Sequence, residues 1–452
     1  MQIVTDAAAS WAAIHPAVVG DFQLDVDAHS KFWRQGYELL GTLPEKPKRN
    51  PEQARTAETI LRVGRESRES FLARHAEAVY RALTSDQSKF MRAEPLVYAA
   101  AELIPGLTPS RAQVAAQAEK MQRDKDGIEV DQGIFFAHVL AHPSAGTHFC
   151  HAMLLPKEDS AARLPELQQK GVLDLGTAVV KRVGKATAVY LHNPRYLNAE
   201  DEATINETET AVDLAILDSS ELALLRGDVV DNPKYAHKRV FSTGINLTHI
   251  YHGKISYLWY VTREMGFVNK MMRGLARPDT SPDEVYGGTI EKPWIAAVEH
   301  FAIGGGCQYL LTMDYVVAAS NAYMTLPARK EGIIPGAANM RMWRFTGDRI
   351  ARQAILSGRR LDCDTPEGRM ICDEIVPPTE MDAALDRVIA SFTDSGVVSA
   401  AGNRRAIRVA QEPLDQFRRY MAVYAREQAY CHFSPALIGN LEKHWNAQQR
   451  RM

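Results

Sequence analysis

The chain has 452 residues, 46% hydrophobic and 24% charged, with a net charge of −2. That length allows one large domain with an appendage, or two to three domains, and the composition is that of a soluble globular protein. The near-neutral balance gives no basic excess for nucleic acid or for an anionic membrane.

The five cysteines, Cys150, Cys307, Cys363, Cys372 and Cys431, are far apart and include no CxxC pair. They predict neither a disulfide framework nor a structural zinc site, and a reducing cytoplasm fits them. The start, MQIVTDAAASWAAIHPAVVG, has no Lys or Arg and carries Asp6, so no signal peptide is expected. No run reaches the roughly 18 apolar residues of a membrane span.

Residues 1 to about 170 read as helical. Glu52 to Leu83 contains no proline, and Leu72, Ala76, Val79 and Leu83 fall on one helix face. Proline-marked breaks follow near Pro95, Pro105, Pro109 and Pro143. No motif in this part carries chemistry, so it reads as a packing or oligomerisation module. The pattern changes near Gly171. TAVVKRVGKATAVYLHNP alternates around Gly184-Lys185 and predicts a hairpin. A helix is expected from Ala199 to Leu217, with Asn198 as its cap. Strands follow at Leu222–Leu225 and Arg239–Ser242, then a helix over Ser256–Arg273, a strand from Trp294 to Ile303 and another at Tyr315–Ala319. Alternating strands and helices predict an α/β fold. From about Asn403 the pattern returns to helix.

Two strand ends attract attention. In VFSTGINLTHI (Val240–Ile250), Gly244 permits a turn that frees the N–H of Ile245. In FAIGGGCQYLL (Phe301–Leu311), an apolar strand runs into three glycines and a helix whose first-turn N–H groups are unpaired. Each alone is a common turn. Together they supply the two backbone donors that an oxyanion hole requires. The triple glycine is not a dinucleotide fingerprint, because the third spaced glycine and the acidic strand end are missing. Gln308, one turn into the helix, is neutral and offers no acid or base. LPARKEGIIPGAANMRM (Leu326–Met342) is a constrained loop, with Ile333, Ile334 and Pro335 either in its own core or on a ligand pocket. His249, His252 and His300 lack metal-ligand spacing, so no metal is expected. Cys307 has no identifiable His partner and reads as a small buried residue.

The ordered set LHNPRYLNA, FSTGINLTHI, FAIGGGCQYLL, MTLPARKEGIIPGAANMRMWRF and DEIVPP resembles the crotonase (enoyl-CoA hydratase/isomerase) superfamily over about residues 175–390. The resemblance implies a spiral of ββα units, trimers or trimer-paired hexamers, and a CoA thioester whose carbonyl is held by the N–H groups of Ile245 and Gly305. On that basis 171–395 is expected to be the catalytic core, 1–170 a helical N-terminal domain and 396–452 a C-terminal helical segment. The hydratases of the superfamily have glutamates where this chain has Gln308 and Ala328. Both acid–base carboxylates are absent, and the loop register does not favour Glu331 as a replacement.

EVDQGIFF (Glu129–Phe136), the ETAVDLAILD helix and GGG-x-Q are similar to a branch of cofactor-independent dioxygenases of glycopeptide-antibiotic biosynthesis. That resemblance implies an arylacetyl-CoA substrate with phenolic hydroxyls, O2 as co-substrate, and neither metal nor organic cofactor. It implies catalytic roles for Ile245, Gly305, Gln308 and Arg263. It implies substrate or CoA contacts at Glu200, Ser242, Thr243, Gly244, Asn246, Gly304, Ile333, Ile334 and Pro335, with Glu200 at a phenolic hydroxyl and Arg263 near the carbonyl. An O2-independent hydrolase, C–C hydrolase or isomerase using the same two N–H groups stays open at this point, as does a non-catalytic acyl-CoA-binding subunit.

Overall fold

The computed structural model describes residues 2–235, 237–395 and 397–452. Met1 and Gly396, where two of the expected segments begin, lie outside them. Helices precede and follow a central sheet, and one buried apolar cluster runs from Ala8 to Ala447.

Among the described residues the main sheet has seven strands. In spatial order they are Val172–Asp174, Ala178–Val183, Ala186–Leu191, Leu222–Gly227, Trp294–Val298, Tyr315–Ala319 and Glu374–Val376. The first two pairings are antiparallel and the other four parallel. The hairpin forms at Gly184-Lys185 as the sequence predicts, with Gly184 at φ +57°. Every residue of Leu222–Gly227 and Trp294–Val298 is buried. Parallel strands covered on both faces need such unbroken apolar runs. The crossover Ile205–Leu217 packs over this sheet.

Four expectations are corrected. The strand expected over Trp294–Ile303 is two strands. At His300 the backbone turns to φ +63°, and Phe301–Ile303 leaves the main sheet to pair in parallel with Tyr323–Thr325 in a second, three-stranded sheet. The apolar run resumes directly after Glu299 and His300, which is why the sequence did not reveal the corner. Arg239–Ser242 forms only isolated bridges, to Val229 and Ala302. The helix expected from Ala199 begins at Ile205, because Glu200 is bridged to Ile245. Asn198 is accordingly not its cap. At φ +54° its Oδ1 accepts from the N–H of Asn193 (2.9 Å), and its Nδ2 donates to the carbonyls of Asp228 (2.9 Å) and Val240 (2.7 Å). Finally, Ser256–Arg273 is interrupted by a π-turn at Glu264–Val268, where Gly266 leaves helical geometry at φ −85°, ψ −115°. Such turns recur at functional sites, and this one directly follows Arg263.

The long N-terminal helix is Pro51–Leu83, opened by an Asn50/Gln53 capping box. Helix Val130–Ala141 lies against the C-terminal helix Leu414–His432. A Cβ on Gly133 would sit 2.5 Å from Ala429 Cβ, so this approach needs glycine. The hydroxyl of Tyr257 donates to the carbonyl of Ala425 (2.8 Å) in the same contact. The N-terminal helices thereby brace a helix that reaches the candidate site.

Candidate active site

The two strand ends singled out in the sequence meet. The N–H of Ser242 donates to Phe301 O and the N–H of Ile303 to Ser242 O (2.9 Å), which ties the segments side by side. On its other side the segment bridges Glu200, whose N–H donates to Gly244 O (2.8 Å) and whose carbonyl accepts from Asn246 N–H (2.8 Å). Between these two bonds the N–H of Ile245 has no acceptor among the described residues, and neither has the N–H of Gly305 at the helix start. A Cβ on Gly244 (φ +73°) would lie 2.6 Å from Gly305 N. Glycine at 244 is therefore what lets the two turns approach. Two free donors at adjoining turns can hold one developing oxyanion.

Below this pair is a buried charge cluster. All five N–H donors of Arg263 are occupied: Nε and Nη2 by Glu200, Nη1 by Glu264 and by Gln308 Oε1 (2.7 Å), and Nη2 also by Gly305 O (3.2 Å). Burial is the largest single influence and works against this charge, but Glu200, Tyr309 and Glu264 together outweigh it, and the guanidinium stays protonated. Arg263 thus fixes the Gly305 carbonyl and the Gln308 amide. A Cβ on Gly305 would meet Glu200 Oε1 at 2.0 Å. Cys307 is fully buried and its thiol is pushed up to about 12 by that burial, so it is not a thiolate nucleophile.

These residues floor a pocket of ≈390 Å³. Its walls include Ile245, Trp259, Tyr260, Gly304, Gly305, Gln308, Ala328, Ile333, Ile334, Pro335 and Tyr424. Three ties hold the apolar wall: Ile334 N–H donates to Gln428 Oε1 (2.8 Å), Ala337 N–H donates to Glu264 Oε2 (3.0 Å), and Tyr420 Oη donates to Gly336 O. Gln428 and Tyr420 both come from helix Leu414–His432. The expected loop-core or pocket-wall alternative thus resolves toward the pocket.

Glu331 also lines this pocket, contrary to the register argument from sequence. The stretch Ala328–Glu331 is one short helical turn, so positions 328 and 331 share a face. Among the described residues its carboxylate makes no hydrogen bond or ion pair, and burial alone pushes it up to about 7.

A second cavity of ≈1060 Å³ adjoins the first, sharing Ile245 and Glu331. It is lined by Thr243, Asn246 and Ile303, by the cations Arg195, Lys330 and Arg450, and by His444 and Trp445. No motif marked the C-terminal contributors Leu441, His444, Trp445 and Arg450, because they join the site only through tertiary packing. Ser242, expected at the substrate, lines neither cavity. It is fully buried, and its hydroxyl donates to Asn198 O (2.9 Å) while accepting from Gly244 N–H (3.0 Å). Gly244 likewise contributes backbone shape rather than a lining surface. Asn246 caps the helix Leu247–Tyr251 through His249 N–H. Among the described residues no three His, Cys, Asp or Glu side chains are grouped to hold a metal.

The sequence profile described as enoyl-CoA hydratase/isomerase matches residues 281–417. The chain is 44% identical to the (3,5-dihydroxyphenyl)acetyl-CoA 1,2-dioxygenase of Amycolatopsis orientalis, over 92% of this chain and 95% of that one. It is 25% identical to the short-chain-enoyl-CoA hydratase of Clostridium acetobutylicum, over 52% and 82% of the two chains. A crystal structure of an enoyl-CoA hydratase from Mycobacterium avium subsp. paratuberculosis covers 59% of this chain and 98% of its own, at 21% identity and a TM-score of 0.49. With close likeness over nearly its whole length to one member and the family profile across the Gly304–Gly306 turn and the pocket-wall loop, the chain belongs to the enoyl-CoA hydratase/isomerase (crotonase) family.

Proposed function

We propose that this protein is a cofactor-independent dioxygenase that converts an arylacetyl-CoA and O2 into an aryl α-keto acid and free CoA. The relative from Amycolatopsis orientalis points to 3,5-dihydroxyphenylacetyl-CoA as the substrate. The observation that carries the reading is the pair of unengaged N–H groups, Ile245 and Gly305, beside a glutamine rather than a glutamate at 308. The thioester oxygen binds between the two N–H groups, which lowers the energy of the enolate formed when an α-proton leaves. Gln308, its Oε1 held by Arg263, has no proton to return to the α-carbon at neutral pH. The carbanion therefore persists long enough to meet O2. O2 is reduced to a peroxide as the C–O bond forms, the peroxide attacks the thioester carbonyl, and CoA leaves as thiolate.

The protein's other residues bind, orient and exclude water. Ile333, Ile334, Pro335 and Trp259 make an apolar wall that suits O2. The larger cavity, with Arg195, Lys330 and Arg450, suits the phosphates of CoA and carries Thr243 and Asn246 on its wall. Arg263 acts as a positioning residue, since each of its donors already has a protein acceptor. Glu200 lines the pocket, and a phenolic hydroxyl of the substrate placed beside it would compete with Arg263 for one of its oxygens. We place the protein in the cytoplasm as a trimer or paired-trimer hexamer. Five free thiols support the first, and exposed Trp343, Phe345 and Leu356 on 338–357 support the second as surface that a subunit contact would cover.

The test is to follow O2 uptake and thiol release together with 3,5-dihydroxyphenylacetyl-CoA. Equimolar O2 and free CoA are expected. Thiol release at an unchanged rate in the absence of O2 would sink the reading.

A further inference from the structure

The reaction proposed above takes both hydrogens off the α-carbon, so some group in the pocket must accept protons. Three carboxylates line it: Glu200, Glu264 and Glu331. Glu200 and Glu264 are bound by Arg263, and Glu264 also accepts from Ala337 N–H. Their oxygens are already taken up by these donors and are not free to face an α-hydrogen. Glu331 is the exception, with no hydrogen bond or ion pair among the described residues.

Its place is fixed by the fold. The turn Ala328–Glu331 ends at Gly332 (φ +85°), where a Cβ would lie 2.9 Å from Leu437 Cα, so the loop is pressed against helix Pro435–Trp445. Glu331 Oε1 lies 4.0 Å from the position of a Cβ on Gly304, immediately before the Gly305 donor. It also lines both cavities, at their junction, where the thioester must pass. A buried carboxylate without partners destabilises the fold, and such groups in clefts mark functional sites.

We propose that Glu331 is the catalytic base of this protein, taking the α-proton of the bound arylacetyl thioester. This rests on the dioxygenase reading for its later steps but not for its first. The Glu331 carboxylate removes one α-hydrogen as a proton. The C–H electron pair moves into the enolate, whose oxygen is held by Ile245 and Gly305. After the peroxide attacks the carbonyl, the Glu331 carboxyl returns its proton to the departing thiolate sulfur. The second α-hydrogen leaves to the same carboxylate as the O–O bond breaks. Its C–H pair forms the ketone and the O–O pair stays on the new carboxylate. Substrate plus O2 gives keto acid and CoA with every atom accounted for.

The first step can be read without O2. Wild-type protein, held anaerobically in D2O with phenylacetyl-CoA, is expected to exchange α-hydrogen for deuterium, followed by mass spectrometry. Glu331→Gln is expected to slow that exchange at least a hundredfold while thioester binding stays within about threefold, in line with the usual contribution of a positioned base. In Glu331→Ala, added formate is expected to restore part of the exchange. No α-exchange by the wild type, or exchange by Glu331→Gln within threefold of it, overturns the proposal. If exchange depends on Glu331 but no O2 is consumed, the base stands and the dioxygenase reading falls. If O2 is consumed and exchange ignores Glu331, the reverse holds.

Discussion

At the scale of single residues, the site contrasts satisfied and unsatisfied groups. Arg263 has every donor met, whereas Ile245 N–H, Gly305 N–H and the Glu331 carboxylate have no partner among the described residues. The two N–H groups were legible in the sequence only as a pair, because each glycine turn alone is common and the two strand ends together supply the donors an oxyanion hole requires. Glu331 was legible as a residue but not as a site member. Its side-chain direction depends on a single helical turn after Pro327 that no periodicity reveals. The unpaired carboxylate has a thermodynamic signature. Burial raises it from an ordinary value of 4.5 to about 7, so the folded state holds that proton more tightly than the unfolded chain. Stability is greatest below the unfolded value, falls as pH rises between the two, and stays lowered above. Glu331→Gln removes that loss. It is expected to stabilise the protein by up to about 3 kcal/mol at pH 8, seen as a raised Tm, and to leave Tm nearly unchanged at pH 4.5. A variant less stable than wild type at pH 8 would contradict this. Activity should run the opposite way, with kcat/KM falling as pH drops through about 7 in the wild type. His444, Lys330, Arg450, Tyr260 and Tyr424 also face these cavities, and the bound group Glu200–Arg263–Glu264 lies beneath them. If the acid limb persists in Glu331→Gln, one of these groups is its source.

At the scale of elements, the site depends on close approaches. Gly244→Ala would place a methyl 2.6 Å from Gly305 N, in a conformation that costs about 1–3 kcal/mol for a non-glycine residue. It is expected to lower kcat by about a hundredfold or more, the scale of a lost oxyanion donor, with far-ultraviolet circular dichroism unchanged. Gln428→Ala removes the acceptor of Ile334 N–H and frees the apolar wall. A loss of about 1 kcal/mol there corresponds to a roughly fivefold fall in kcat/KM, and wild-type kinetics in this variant would remove the wall from the account. The element boundaries show where sequence stops informing. The hairpin at Gly184-Lys185 and the helix Pro51–Leu83 carry local signals and formed as read. The corner at His300 and the π-turn after Arg263 do not, because both are set by what the segment packs against.

At the scale of the whole molecule, the N-terminal helices are connected to chemistry through one helix. Val130–Ala141 packs on Leu414–His432, which delivers Tyr424, Gln428 and Tyr420 to the pocket and its wall. Gly133→Val should therefore destabilise the protein by about 1–3 kcal/mol through overpacking, and lower activity although residue 133 lines no cavity. Thermal unfolding and kinetics together check this, and an unchanged Tm would contradict it. The sequence offered no chemistry in residues 1–170, and the structure agrees that their side chains stay out of the pocket. What no sequence pattern could give is the route by which they act.

The central claim is that both atoms of O2 enter the product. Under 18O2 in ordinary water, 3,5-dihydroxyphenylacetyl-CoA should yield an aryl α-keto acid heavier by two labelled oxygens, one in the ketone and one in the carboxylate. A product that takes its new oxygen from water, with CoA released, would contradict the account.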